Sequence, residues 1–479
     1  MFASIDRDAP ESIQAQLRRS IVGAIHAGKM APGQKLPPSR RLAEQLGIAR
    51  NTVAAVYEEL VARGYLEAVP RRGYFVGREL DAARDAELPA TGPGGLDWAV
   101  RIRQRPSALR HVDKPSNWQD YEYPFVCGQV DPRLFPIDTW RACSRDALGR
   151  SAIDWWTADR AVEDDPLLVE QIRTQVLPQR GIFARPEQIL VTLGTQEGLY
   201  LLSRLLARPG VRVGVESPGY PDARNIFAAD GAEIVDLPVD GDGARTDGAG
   251  RLDVAVLTPT NHCPTMVQMP PERREAILRQ ARQDGTILIE DDYDGETAFA
   301  SDGTTLKSLD GDGRVVYLGT FSKVLAPGVR LGFLVADAAL VDEARWLRRL
   351  IHRSAPLNNQ RTAAIFLAEG HYLTLVRQLR AALESRTRRV REGQRRYLPG
   401  FTMSEGGGGA SVWLTCPEGL DANRLWDVAR GRGVLTETGD PFVPPGQSGR
   451  FLRIGLSYID DRKIDSGLRL LGEAAASLR

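Results

Sequence analysis

The sequence predicts an α/β protein with a small, mainly helical domain at its N-terminus. Three observations lead there. From about Trp118 onward, apolar runs of strand length alternate with helix-length segments, the pattern of a mostly parallel sheet covered on both faces. Residues 1–77 instead hold three helical apolar stripes followed by two short strand-like runs. Between them, residues 78–118 are rich in Pro, Gly and charge without steady periodicity and read as a linker. A chain of 479 residues is too long for one core, so the expected domains are 1–77, a linker 78–118, and 119–479.

In the head, Ile13, Leu17, Ile21 and Ile25 form the first stripe, which Gly28 is placed to end. A short helix follows from Ser39 to Leu46, then a Gly-Ile-Ala-Arg break, then a third helix from about Asn51 to Arg63 with Val53, Val56, Tyr57 and Leu60 inward. YLEAVPRRGYFV reads as two strands around a basic turn. Three helices and a hairpin make a winged helix-turn-helix. In the body the strand candidates are QILVTLG, VRVGVES, EIVDLPV, VAVLTPT, TILIEDD, RVVYLGT and RLGFLVA, which together make a mostly parallel seven-stranded sheet. From roughly residue 360 the long helical stretches with ASVWLT and FLRIGLS indicate a smaller α+β lobe, and GGGG at 406–409 reads as a hairpin turn.

Bulk composition narrows the function classes. Net charge is zero, yet residues 1–77 hold 11 Lys+Arg against 7 Asp+Glu, a basic head suited to nucleic acid. Cys127, Cys143, Cys263 and Cys416 have no metal-ligand spacing, so no metal is implied and reduced thiols of a cytoplasmic protein are expected. No apolar run reaches the roughly 18 residues of a membrane helix, and no signal segment is read at the start.

The head's second helix-turn-helix element opens with Arg50, Asn51 and Thr52, groups that bond bases or phosphates, and Arg40 and Arg41 begin the helix before it. Arg71, Arg72 and Gly73 sit at the wing tip. LPPSRRLAEQLGIARNTVAAVYEELVARGYLE resembles the GntR-type winged helix, which implies binding to double-stranded promoter DNA. Pro38 and Ala49 depart from its pattern: the family has a capping Ser where Ala49 stands, a loss on the order of 1 kcal/mol.

In the body the strand ends carry a lysine, Lys323, with Thr320 and Ser322 before it and Arg330 after it. Asp291 and Tyr293 close another strand, Gly194, Thr195 and Gln196 lead from a strand into a helix, Tyr220 stands in ESPGY, and Arg453 lies inward on a late strand. Pyridoxal 5'-phosphate needs such a set: a lysine for its aldehyde, an acid for its ring nitrogen, a phosphate cradle at a helix start, and an aromatic stack. Lys323 is then the catalytic candidate. Asp291 takes the ring nitrogen, Tyr293 the ring hydroxyl and Tyr220 the ring face. Gly194, Thr195, Gln196, Thr320, Ser322 and Arg330 surround the phosphate, while Arg453 takes an effector carboxylate.

Their order resembles class I aminotransferases of fold type I. A GntR-type head on such a body resembles the MocR family of bacterial transcription regulators over essentially the whole chain, with FVCGQVDPRLFPIDTW, VESPGY, IEDDYD and GTFSKVLAPGVRLGF as its signatures here. The resemblance implies a head-to-tail homodimer that binds DNA and senses an amine or amino acid as an external imine with the cofactor. A working aminotransferase is the other class the residues allow, since every group for transamination is retained. The head favours the regulator.

Two segments depart from the family. TPTNHCPTM at 258–266 shifts the histidine to His262, either a ligand contact or a plain loop residue. WWTADRAVEDDPLLVEQI replaces the usual pocket stretch and implies a different effector. Its Glu163, Asp164 and Asp165 either accept a cationic ligand end or decorate a helix N-terminus.

Overall fold

Leu17, Ile21, Ala24 and Ile25 are buried along α1 (Ile13–His26), the stripe expected from the sequence. In this computed structural model the described residues are 5–77 apart from 8 and 10, and 96–478 apart from 300–302 and 407. The chain divides into two units, Met1–Arg105 and Pro106–Arg479.

In the first unit α2 (Ser39–Leu46) ends at Gly47, whose φ of 64° supplies the left-handed turn into α3 (Arg50–Ala62). Val53, Val56, Tyr57 and Leu60 turn inward from α3, and the Tyr57 hydroxyl donates to Pro37 O at 3.0 Å. The wing is β1 (Leu66–Val69) paired antiparallel with β2 (Gly73–Val76). Ala49 caps α3 with no side-chain hydrogen bond, as its methyl dictates.

The second unit is built on an eight-stranded sheet. Its elements are β3 (Ile189–Thr192), α4 (Thr195–Leu206), β4 (Arg212–Ser217), α5 (Pro221–Ala229), β5 (Glu233–Asp240), β6 (Gly243–Ala244), β7 (Val254–Leu257), α6 (Pro271–Asp284), β8 (Ile287–Asp292), β9 (Val315–Thr320) and β10 (Gly332–Val335). The spatial order is β3-β10-β9-β8-β7-β4-β5-β6. The seven expected strands are present; the two-residue β6, antiparallel to β5, adds an eighth at the edge. β10 alone of the seven runs against its neighbours β3 and β9. Consequently β3, β4, β7, β8 and β9 all end on the edge where β10 begins, the side on which ligands of such sheets bind.

Alternate residues feed opposite faces. Ile189, Val191, Tyr317 and Phe333 join one core with Phe366, and Leu190, Leu318 and Leu334 join another with Leu199 and Leu202 of α4. β10 can close on the turn after β3 only because Gly332 has no Cβ: one there would lie 2.7 Å from both Gly194 Cα and Gly319 O.

After α7 (Ala338–Ile351) and α8 (Leu357–Ala368), the 27-residue α9 (His371–Tyr397) leads into the smaller lobe. Its sheet has the order β11 (Thr402–Met403), β12 (Ser411–Thr415), β14 (Phe451–Gly455), β13 (Glu437–Thr438), closed by α10 (Ile464–Ala476). β11 and β12 pair antiparallel, so the glycine run lies in their connection, with 407 outside the described residues. Residues 106–118, expected in the linker, belong to the second unit. Arg110 Nη1 donates to Val443 O at 2.5 Å, and Asn225 Nδ2 donates to Arg110 O at 2.8 Å.

Candidate functional site

A cavity of about 310 Å³ opens at the sheet edge where the parallel strands end. The body residues expected to hold the cofactor and an effector carboxylate line it. Gly194, Thr195 and Gln196 come from the turn after β3, Tyr220 from that after β4, and Asp291 and Tyr293 from the end of β8. Thr320 ends β9, Ser322 and Lys323 follow it, Arg330 precedes β10, and Arg453 reaches in from β14 of the small lobe.

The local folding explains the placement. Gly194 has φ 110° and caps α4 without a side chain, leaving the helix's first N–H groups facing the cavity. Arg330 adopts φ 52°, and its two terminal nitrogens lie 3.8 Å from where a Cβ on Gly194 would stand. Among the described residues no carboxylate pairs with Arg330, so a guanidinium and a helix start converge with no anion between them. The Ser322 N–H donates to Thr320 Oγ1 at 3.2 Å, holding the turn that carries Lys323.

Alternation along β8 separates its acids. Asp292 faces away from the cavity, paired with Arg180 at 2.6 Å and accepting from the Tyr317 hydroxyl at 2.6 Å. Glu290 accepts from Leu306 N and Lys307 N. Asp291 faces the cavity, buried, and its Oδ1 has no hydrogen-bond partner. Burial, reinforced by Asp292, pushes the Asp291 carboxyl up to about 7. Desolvation lowers the Lys323 ammonium from its ordinary range; Arg453 and Lys114 add to this and Asp294 opposes it. The Tyr220 hydroxyl donates to Gln196 Oε1 at 2.8 Å, which fixes its ring at the cavity wall.

Several lining residues carried no sequence signal of their own. Val112 and Lys114 lie in what composition reads as linker, and Gly128, Glu437 and Phe442 belong to no strand-end motif. Cys127 and Cys263 sit within FVCG and TPTNHCPTM, so those stretches marked the region without marking the residue. His262 is not in the wall: it is buried, with Nδ1 2.7 Å from Thr265 Oγ1, and desolvation holds it neutral at about 3. Of the acidic run, Glu163 is exposed and pairs with Arg160 at 2.9 Å, while Asp164 and Asp165 are internal. Asp164 pairs with Arg345 at 2.7 Å and Arg348 at 2.6 Å, while Asp165 pairs with Arg361 at 2.6 Å and caps the helix Pro166–Gln171. The helix-terminus alternative therefore describes it, and no carboxylate remains for a cationic ligand end.

In the head, Arg40, Arg41, Arg50, Asn51, Arg71, Arg72 and Gly73 are exposed and Thr52 is half-buried. Arg50, Asn51 and Thr52 form the first turn of α3. Arg71, with φ 63°, turns the wing tip, and the Arg72 guanidinium lies 5.7 Å from the Phe75 ring centre.

Residues 12–76 match the family described as bacterial regulatory proteins, gntR family, and residues 170–471 match aminotransferase class I and II. The HTH-type transcriptional regulator TauR of Rhodobacter capsulatus is 41% identical over 97% of this chain and 96% of its own length. A protein of Rhizobium meliloti described as "Probable rhizopine catabolism regulatory protein MocR" is 30% identical over 99% of this chain and 96% of its own. Among solved structures, the α-aminoadipate aminotransferase LysN of Thermus thermophilus, complexed with N-(5'-phosphopyridoxyl)-L-leucine, is 25% identical. It covers 80% of this chain and 99% of its own, with a TM-score of 0.71. Matched in both halves, in the same order and over nearly its full length, the chain belongs to the MocR family, in which a GntR-type DNA-binding head is joined to an aminotransferase-like body.

Proposed function

We propose that this chain is a bacterial transcriptional regulator that holds pyridoxal 5'-phosphate in the cavity of its second unit and senses an amine or amino acid there. One observation carries the reading: three groups suited to that cofactor meet at one sheet edge without satisfying one another. They are the Lys323 amine, the unpaired Oδ1 of Asp291, and Arg330 at the uncapped start of α4.

Lys323 would hold the aldehyde, Asp291 the ring nitrogen, Tyr293 the ring hydroxyl and Tyr220 the ring face. Gly194, Thr195, Gln196, Thr320, Ser322 and Arg330 would hold the phosphate. When bound, the cofactor supplies an aldehyde that condenses with primary amines. The chain's own part is to favour the nucleophilic amine of Lys323 by lowering its ammonium through desolvation, and to offer Asp291 as the partner of a ring N–H. Arg453, with Nε donating to Ser411 Oγ at 3.1 Å and Nη1 3.6 Å from Glu437 Oε2, would turn its outer nitrogens to a carboxylate.

The head would contact promoter DNA through Arg50, Asn51 and Thr52 in the major groove, Arg40 and Arg41 on phosphates, and Arg71, Arg72 and Gly73 at the wing. The working form would be a cytoplasmic head-to-tail homodimer. An effector shifts its DNA affinity only by the difference in its affinity for two arrangements of that dimer. The test uses the loaded full chain. It should show a visible absorption band that Lys323→Ala abolishes, and saturable binding of one promoter fragment. Many-cycle transamination without specific DNA binding at physiological salt would overturn the regulator in favour of an aminotransferase.

A further inference from the structure

A second cavity, of about 310 Å³, is walled by the helical turn Leu177–Arg180, the start of α9 and the turn after β8. It shares no lining residue with the first. Alternation along β8 separates the two: Asp291 faces the first cavity, whereas Asp292 pairs with Arg180, which lines the second.

Two buried side chains in this wall lack partners. Neither Oε1 nor Oε2 of Glu296 is in a hydrogen bond, and the hydroxyl of Tyr372, a residue 1% exposed, has none either. Two cations line the same space. Arg380, half-buried, donates from Nε to Glu296 O at 2.7 Å, which holds its guanidinium at the wall. Arg377 is exposed and donates from Nη2 to Thr374 Oγ1 at 3.2 Å. Among the described residues neither arginine is in an ion pair, and Gln179 adds a side-chain amide to the wall.

We propose that this cavity is a second ligand site, separate from the first, that takes a small oxyanion among Arg377, Arg380, Glu296 and the Tyr372 hydroxyl. Buried polar groups without protein partners call for water or a ligand, and the charges choose between them. Arg180 is cancelled by Asp292. Asp294 accepts from the Thr297 hydroxyl, the Ala410 N–H and the Asn261 amide, and its charge also acts on Lys323 and Arg453. What remains is Arg377 and Arg380 against Glu296, a surplus of positive charge that grows when Glu296 holds its proton. Water satisfies the phenol but leaves the Arg380 guanidinium unanswered, and a cation adds to the surplus. An oxyanion meets guanidinium, phenol and carboxyl O–H together. Burial and then Asp292 move the Glu296 carboxyl up to about 7, with Arg180 opposing and Asp294 adding. Below that value the carboxyl donates to the anion and above it the carboxylate repels it, so affinity falls as pH rises through about 7.

The experiment titrates the full chain, loaded with pyridoxal phosphate and desalted so that the first cavity is filled, with sodium sulfate and separately with sodium acetate. Binding is followed by isothermal titration calorimetry at pH 6 and pH 8, with ionic strength held by NaCl. Both anions stay ionised over that range, so pH acts through the protein. Saturable binding of at least one is expected, about fivefold or more tighter at pH 6 than at pH 8, and the better probe distinguishes a tetrahedral oxyanion from a carboxylate. Tyr372→Phe and Arg380→Gln should each weaken binding at pH 6 by about fivefold or more. Glu296→Gln should bind with the same affinity at both pH values. Binding of neither anion, binding unchanged in both Tyr372→Phe and Arg380→Gln, or a pH difference that survives Glu296→Gln overturns the proposal.

Discussion

Asp291→Asn separates what the carboxylate does for the cofactor from what it does to the fold. In the folded chain the Asp291 carboxyl is moved from its ordinary 3.8 to about 7, first by burial and then by Asp292. Between those values the folded chain keeps a proton that the unfolded chain has released. Stability therefore falls as pH rises from about 4 to about 7 and is level above that. The full shift corresponds to about 4 kcal/mol at pH 8, and more than half of it has gone at pH 5. The amide is nearly isosteric and never ionises, so chain stripped of pyridoxal phosphate should be more stable as Asp291→Asn at pH 8, with the gain shrinking toward pH 5. Urea melts at the two values, following the second unit, measure this. With cofactor present the order should reverse, because the amide no longer balances a ring N–H and retention should weaken about tenfold or more. An Asn variant whose advantage is the same at pH 5 and pH 8, or absent at both, would refute the assignment of Asp291 as a buried acid whose proton is held by desolvation.

Other outcomes follow from single contacts. Ala49→Ser gives α3 the cap it lacks and should stabilise the first unit by about 1 kcal/mol, read as a rise of its melting temperature of roughly 4–8 °C. Gly332→Ala puts a Cβ 2.7 Å from backbone on two sides, where nothing flexible can yield. It should cost about 3 kcal/mol or more in thermal denaturation and weaken cofactor retention with it. Arg348→Met strips the buried Asp164 of one of its two arginines and should destabilise by about 3–5 kcal/mol in chemical denaturation. Arg71→Ala and Arg50→Ala should each lower the salt dependence of DNA binding by about one phosphate's worth, with Arg50→Ala also relaxing base preference if it reaches a base edge.

The parts of the site that were legible in the sequence are those fixed by local chain geometry. A residue at the C-terminal end of a parallel strand, or up to three places beyond it, must stand at the sheet's ligand edge, so Gly194, Asp291, Thr320 and Lys323 followed from the strand assignment alone. Glu437 followed from nothing local: its place depends on a two-residue strand meeting Arg453 in register. Lys114 was hidden by its neighbours, because Pro and charge make a segment look like linker whether or not it is bound to a surface. The acids at 163–165 and His262 were ambiguous for a related reason. Whether a charged side chain is a ligand or a structural partner depends on what faces it, and Arg345, Arg348 and Arg361 come from helices far along the chain. β6 escaped because two residues carry no periodicity.

The stretch from Arg110 to Lys114 does two jobs with one backbone. Arg110 is tied to Val443 and Asn225, and four residues later Lys114 meets Glu437 in the cavity wall. Every covalent path from the DNA-contacting half into the cavity passes through these five residues. Freed from the body, they would pay out up to about 17 Å of extra chain at full extension. The cavity wall is thus also the cleat of a mooring line. A small molecule that loosened the hold on Lys114 would lengthen the rope, with no need for a rearranged sheet.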